Sequence, residues 1–110
     1  MTKEKNLFHV RGDTLAFNFK MLDYTEALTG AAFSCKATYD AENYIFQKTL
    51  GDGISNEGDG LYFVRVAPDD TSDADIGSYY YDLRIEAGDD IYTVMRGILT
   101  LVDDIGEVSS

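Results

Sequence analysis

Between Asp75 and Ala87 the chain reads DIGSYYYDLRIEA, and from Tyr79 onward it alternates without a break. Tyr79, Tyr81, Leu83, Ile85 and Ala87 share one face of an extended chain, while Tyr80, Asp82, Arg84 and Glu86 share the other. A period of two, sustained by aromatic and β-branched residues, specifies a strand with one face buried and one wet. A helix is ruled out, because its apolar positions recur every three to four residues. The rest of the chain must therefore supply a second layer to cover Tyr81, Leu83 and Ile85.

That layer is legible in order. Leu7–Val10 is a short first strand that runs into Arg11-Gly12-Asp13. An Arg-Gly-Asp tripeptide invites an adhesion reading, but Gly and Asp are also what a turn between strands requires, and we read it as a turn. Thr14–Leu22 alternates, with Leu15, Phe17, Phe19 and Met21 inward. After a polar connection, Asp23–Gly30, the segment Ala31–Tyr39 puts Ala31, Phe33, Cys35, Ala37 and Tyr39 on one face and Ser34, Lys36 and Thr38 on the other. In Tyr44–Leu50 either Ile45 or Phe46 could face the core, as befits a strand near an edge. Gly51–Gly60 (GDGISNEGDG) reads as the most flexible interior segment. Leu61–Ala67 is a strand ended by Pro68, which cannot donate to a ladder. In the crossing to Tyr79, Ile76 is the large apolar residue and is expected to plug the base of the fold. Gly88-Asp89-Asp90 turns the chain into a last strand, Ile91–Val102, whose outward side would carry Tyr92, Val94, Arg96, Ile98 and Val102. Seven strands with a turn signal every ten residues or so specify an all-β antiparallel sandwich. Its expected bounds are 7–102, between a flexible N-terminus at 1–6 and a tail at 103–110.

At 110 residues the chain is one domain, and 45% hydrophobic content suits a packed core. No apolar run approaches the ~20 residues of a membrane-spanning helix, and the N-terminus has no apolar leader-like stretch, so no membrane partner is expected. Twenty acidic against nine basic residues give a net charge of −11. A phosphate backbone is a poor partner for such a surface, so nucleic acid is not expected.

Chemistry finds few groups to work with. His9 is the single histidine and reads as a surface or edge imidazole, and Cys35, alone of its kind, reads as a buried small hydrophobe. No catalytic residues, no cofactor and no zinc-type site are expected. The Asp69, Asp70, Asp73, Asp75 loop and the Asp52, Glu57, Asp59 loop raise the question of calcium. The first fails the spacing of an EF-hand, because Gly is missing from the turn position and Tyr80 stands where the bidentate Glu belongs, so no metal is expected. Without Trp or a row of exposed aromatics, no sugar-stacking platform is evident. Tyr80 and Tyr92 are the best aromatic pair available for a protein interface.

The Asp75-x-Gly77-x-Tyr79 opening resembles the tyrosine corner of immunoglobulin-like sandwiches, in which a Tyr at the start of strand F bonds back to the chain just upstream. Tyr81 stands where antibody domains carry their second disulfide Cys, which implies a disulfide-free relative. Four blocks extend the likeness: RGDTLAFNF (11–19), LTGAAFSCKA (28–37), ADIGSYYYDLRI (74–85) and YTVMRGILTLVDD (92–104). Their order resembles the N-terminal immunoglobulin-like domain of phage baseplate upper proteins and related virion proteins of prophages in Gram-positive bacteria. Thr93 and Gly97 fill that family's Thr-x-x-x-Gly-x-Leu strand. The resemblance implies a non-catalytic assembly domain of a phage tail, baseplate or neck. It would be made in the bacterial cytoplasm, built into the virion, and bound to other virion proteins or to itself. The alternative is an extracellular-type adhesion or carbohydrate-binding module. The last strand is apolar on both faces at Ile98, Leu99, Leu101 and Val102, more than one covering layer needs, so docking is expected through Val94, Ile98 and Val102 together with Tyr80 and Tyr92.

Overall fold

The computed structural model describes residues 3–21 and 27–103. Among them lie nine strands and one turn of 3-10 helix (Pro68–Asp70). The strands are β1 (Lys3–Glu4), β2 (Leu7–Val10), β3 (Leu15–Lys20), β4 (Gly30–Lys36), β5 (Phe46–Leu50), β6 (Gly53–Gly58), β7 (Leu61–Val66), β8 (Gly77–Ala87) and β9 (Asp90–Val102). Leu22, the end of the expected second strand, the first half of the connection after it (23–26) and the tail beyond Asp103 lie outside the described residues.

Hydrogen bonding follows the order β1-β9-β8-β4-β5-β6-β7-β3, with β2 also beside β9. Only two residue pairs, Thr49–Gly53 and Leu50–Ile54, join β5 to β6. At that narrow joint the path curls over. A larger sheet (β1 and β2, β9, β8, β4, β5) thus packs on a smaller one (β3, β7, β6). In immunoglobulin lettering these are A′GFCC′ and BED, the order of an immunoglobulin-like antiparallel sandwich. The N-terminal strand runs parallel to β9, in two pieces that keep one register.

The alternation of β8 does what its spacing requires. Tyr79, Tyr81, Leu83 and Ile85 are buried, and they join Phe33, Cys35, Ile54, Tyr62, Val64, Val66, Leu99 and Leu101 in a single core. Full burial of each aliphatic side chain contributes about 1.5–3 kcal/mol. Where an antibody domain would link its sheets by a disulfide, aromatic rings make the connection. Phe33 of β4 meets Phe17 of β3 edge-on at 5.1 Å and Tyr81 of β8 at 5.7 Å.

Three local expectations are corrected. The glycine-rich segment contains a strand: β6 pairs with β7 and buries Ile54, because its backbone is held by a neighbour whatever its own propensity. The ladder also begins at Lys3, ahead of Leu7. Ile76 does not plug the base, since it is 52% exposed. The fully buried residue of that crossing is Thr71, whose hydroxyl oxygen accepts the Gly12 amide at 2.9 Å. Phe46 settles the ambiguity in β5: it is buried, and Ile45 packs partly against the core.

A candidate binding face on the larger sheet

Gly77 opens β8 at φ +143°, a backbone conformation in which a side chain would be strained. Two residues on, the Tyr79 hydroxyl donates to the Asp75 carbonyl at 2.5 Å. Burial first, then the Asp75 charge, raises the pKa of that hydroxyl, while Arg11 pulls it down. Asp75, Gly77 and Tyr79 thus form a corner in which Asp75 contributes its backbone oxygen. Arg11 clamps the same end: its guanidinium donates to the Ala74 carbonyl and pairs with Asp103 at 3.1 Å. Asp13 closes the turn by donating its amide to Val10, and Gly12 sits at φ +85°. Arg-Gly-Asp is a structural turn here. His9, expected as a surface or edge imidazole, lies on the edge strand β2 and is buried beside the turn, with Nε2 3.0 Å from the Asp13 carbonyl oxygen.

The proposed interface residues separate into groups. Opposite Leu83 lies Met95, but opposite Arg84 lies Thr93, so Val94 is an extra residue that bulges β9. One extra residue reverses the facing of everything before it. Tyr92 therefore pairs with Ile85, on the inner side, and is not on the outer face with Tyr80. Val94 packs against the core and is no outward anchor. Beyond the bulge the expected facing holds: Ile98 and Val102 point outward, each 37% exposed. They are joined by a residue that sequence reasoning missed. Phe8 pairs with Thr100 and Val10 with Val102, so both lie on that outer face, and Phe8 is 76% exposed. The available clue was the alternation of Leu7 and His9 with Phe8 and Val10, which assigns Phe8 to the outward side.

Next to this strip the outer face sinks into a trough of about 490 Å³. Its floor is the outward side of β4, where Gly30, Ala32 and Ser34 are small. Tyr39, 62% exposed, stacks on Tyr80 with ring centres 4.3 Å apart. Tyr44 stands near them, with the Lys36 ammonium 4.7 Å from its ring centre. The aromatic cluster at Tyr80 is thus built with Tyr39, expected on the face of Phe33 and Cys35, and with Tyr44, which the β4–β5 hairpin returns, and not with Tyr92. On one wall Gln47 donates to the Ser34 hydroxyl at 3.1 Å. On the other, Asp82 is surrounded by Arg84, Arg96 and Lys36, yet burial outweighs these cations and holds its carboxyl above the ordinary 3.8.

The acidic loops scatter their carboxylates. Asp70 turns inward to Lys48 at 2.9 Å and accepts the Ala67 amide at 2.7 Å. Among the described residues no three His, Cys, Asp or Glu side chains gather as metal ligands would. The Cys35 thiol is fully buried, and burial pushes its pKa up to about 12, far from a nucleophile's range.

Strand order, corner and aromatic sheet bridge define an immunoglobulin-like β-sandwich. No protein-family model and no curated protein matches the chain. Among solved structures it is similar to the extracellular domains of the voltage-gated sodium channel beta4 subunit, whose parallel homodimers are described as explaining a role in cell–cell adhesion. That likeness has 13% identity and TM-score 0.46, and covers 96% of either chain. It is also similar to the NK cell receptor Nkp44, a triggering partner in natural cytotoxicity. There the identity is 14% and the TM-score 0.47, over 93% of this chain and 99% of that one.

Proposed function

We propose that the chain is a non-catalytic module that docks another protein through the apolar strip of Phe8, Val10, Ile98 and Val102. The observation that carries this reading is the exposure of Phe8, Ile98 and Val102 side by side on β2 and β9, on the side of the sheet away from the core. Adjacent apolar groups of this kind gain free energy when a partner removes them from water. The setting we assign is a phage or prophage virion, with the module in the tail, baseplate or neck. The four-block resemblance supports this, and the module would assemble after synthesis in the host cytoplasm. A cell-surface adhesion module is the second reading, since the same exposed strip would serve it.

Mass spectrometry of particles purified from an induced culture tests the assignment. The protein is expected in the particles, and a folded Phe8→Asp/Ile98→Asp variant is expected to be lost from them. Finding the protein on the cell surface and absent from particles would overturn the virion setting in favour of adhesion. Equal incorporation of the variant would overturn the docking strip.

A further inference from the structure

The trough along β4 has a chemistry that protein docking through the neighbouring strip does not use. It is concave because small residues alternate with large neighbours. Gly30 lies opposite Glu86, Ala32 opposite Arg84 and Ser34 opposite Asp82. At Gly30 a Cβ would lie in van der Waals contact with the Glu86 Cβ, at 3.4 Å, and would occupy space that glycine leaves open at that end of the floor. The seven residues of β4 make the floor about 20 Å long at ~3.3 Å per residue. Tyr39, Tyr44 and Tyr80 close one end, and Ile91 and Glu86 the other. A lined volume of this size, mixing aromatic rings with a few polar groups and one carboxyl whose pKa is shifted, has the character of a ligand site.

The polar groups select the ligand. Lys36 and Arg84 offer donors, while Asp82, Glu86 and the Gln47 carbonyl offer acceptors. An anion would meet the two carboxylates, and a cation would meet the ammonium and guanidinium. A purely apolar ligand would strip water from all of them without replacing its hydrogen bonds. A neutral ligand with a donor and an acceptor at each position, and an apolar face to lie on a tyrosine ring, satisfies both walls and the end. We propose that this trough binds a neutral oligosaccharide along β4, with one pyranose ring against Tyr39 or Tyr44. The inference does not rest on the docking strip or on the virion setting.

The test is an amide-shift titration of the folded protein with maltohexaose, cellohexaose and chitohexaose as separate probes. Saturable shifts are expected at Ala32, Ser34, Tyr39, Gln47 and Asp82 with at least one probe, at a Kd of about 1 mM or tighter. The double variant Tyr39→Ala/Tyr44→Ala is expected to weaken binding at least about tenfold, and Tyr44→Phe to keep it. Ile98→Asp is expected to leave it unchanged, which separates this site from the docking strip. The proposal is overturned if all three probes leave these amides unmoved. It is also overturned if the tyrosine variant titrates like wild type, or if only an anionic oligosaccharide such as a heparin fragment binds.

Discussion

Gly97 lies on β9 opposite Tyr81, at the point where the N-terminal strand breaks between β1 and β2. A Cβ placed on it would sit 2.1 Å from the Lys5 carbonyl oxygen and 2.8 Å from its carbon. Both are backbone atoms, so no side-chain rotation relieves the clash. The strand would have to lift, and three bonds anchor it there. Tyr81 donates its hydroxyl to the Lys5 carbonyl, Lys5 donates its amide to the Arg96 carbonyl, and Asn6 accepts the Ile98 amide. Overpacking costs about 1–3 kcal/mol. A buried hydroxyl left without its partner costs about 1–3 kcal/mol more. Gly97→Ala is therefore expected to lower unfolding stability by about 2–6 kcal/mol in chemical denaturation. Tyr81→Phe alone should cost about 1–2 kcal/mol. The two are not independent. If alanine has already lifted Lys5 away, Tyr81→Phe in the Gly97→Ala background should cost almost nothing, a non-additivity that a double-mutant cycle reads directly. Gly97→Ala within about 0.5 kcal/mol of wild type, a surface-like value, would refute the close approach as the reason for glycine.

Tyr79→Phe deprives the Asp75 carbonyl of its donor at the corner and should cost about 1–3 kcal/mol in the same denaturation assay. Asp70→Ala removes both the Lys48 partner and the acceptor for the Ala67 amide, and a loss of about 2 kcal/mol is expected. Asp82 works in the opposite sense. Its folded pKa lies above its unfolded value, so the native state holds the extra proton between the two. Stability then falls as pH rises through that window. Asp82→Asn should be more stable than wild type at neutral pH, with the difference vanishing below pH 3.8, which paired melting curves would show. Light scattering after gel filtration should find wild type self-associating at high concentration through the apolar strip and Ile98→Asp monomeric. A wild type that is monomeric throughout would leave only a different protein as the partner of that strip.

What the sequence makes legible here follows from how each feature is specified. β8 could be read because a single uninterrupted period of two buries one face, and a slip of one residue would expose every one of its core side chains. β9 could be read only beyond Val94. Its bulge adds one residue without changing composition, so a count of alternation carries straight through it and puts Tyr92 and Val94 on the wrong side. β6 was hidden for another reason: Ile54 is its only large apolar residue, and its order comes from β7. The corner was legible because Asp75, Gly77 and Tyr79 interact within five residues of chain. The trough was not, since Tyr39 and Tyr80 are forty-one positions apart and meet only through the pairing of Lys36 with Tyr80.

The distribution of charge connects the strip and the trough. On the outer face of the larger sheet, Lys36, Arg84 and Arg96 are balanced by Glu4, Asp82 and Glu86, with Arg96 and Glu4 3.8 Å apart. The net −11 of the chain therefore resides on the remainder of the molecule. A remainder with this excess of negative charge repels acidic proteins and phosphate polymers alike. The balanced face escapes this repulsion at short range, since charges elsewhere are screened over a Debye length of about 10 Å at 0.1 M salt. It is also where the exposed apolar side chains Phe8, Ile98 and Val102 and the ring of Tyr39 are displayed. Balanced charge, the apolar side chains of the proposed docking strip and the β4 trough thus coincide on one side of the sandwich.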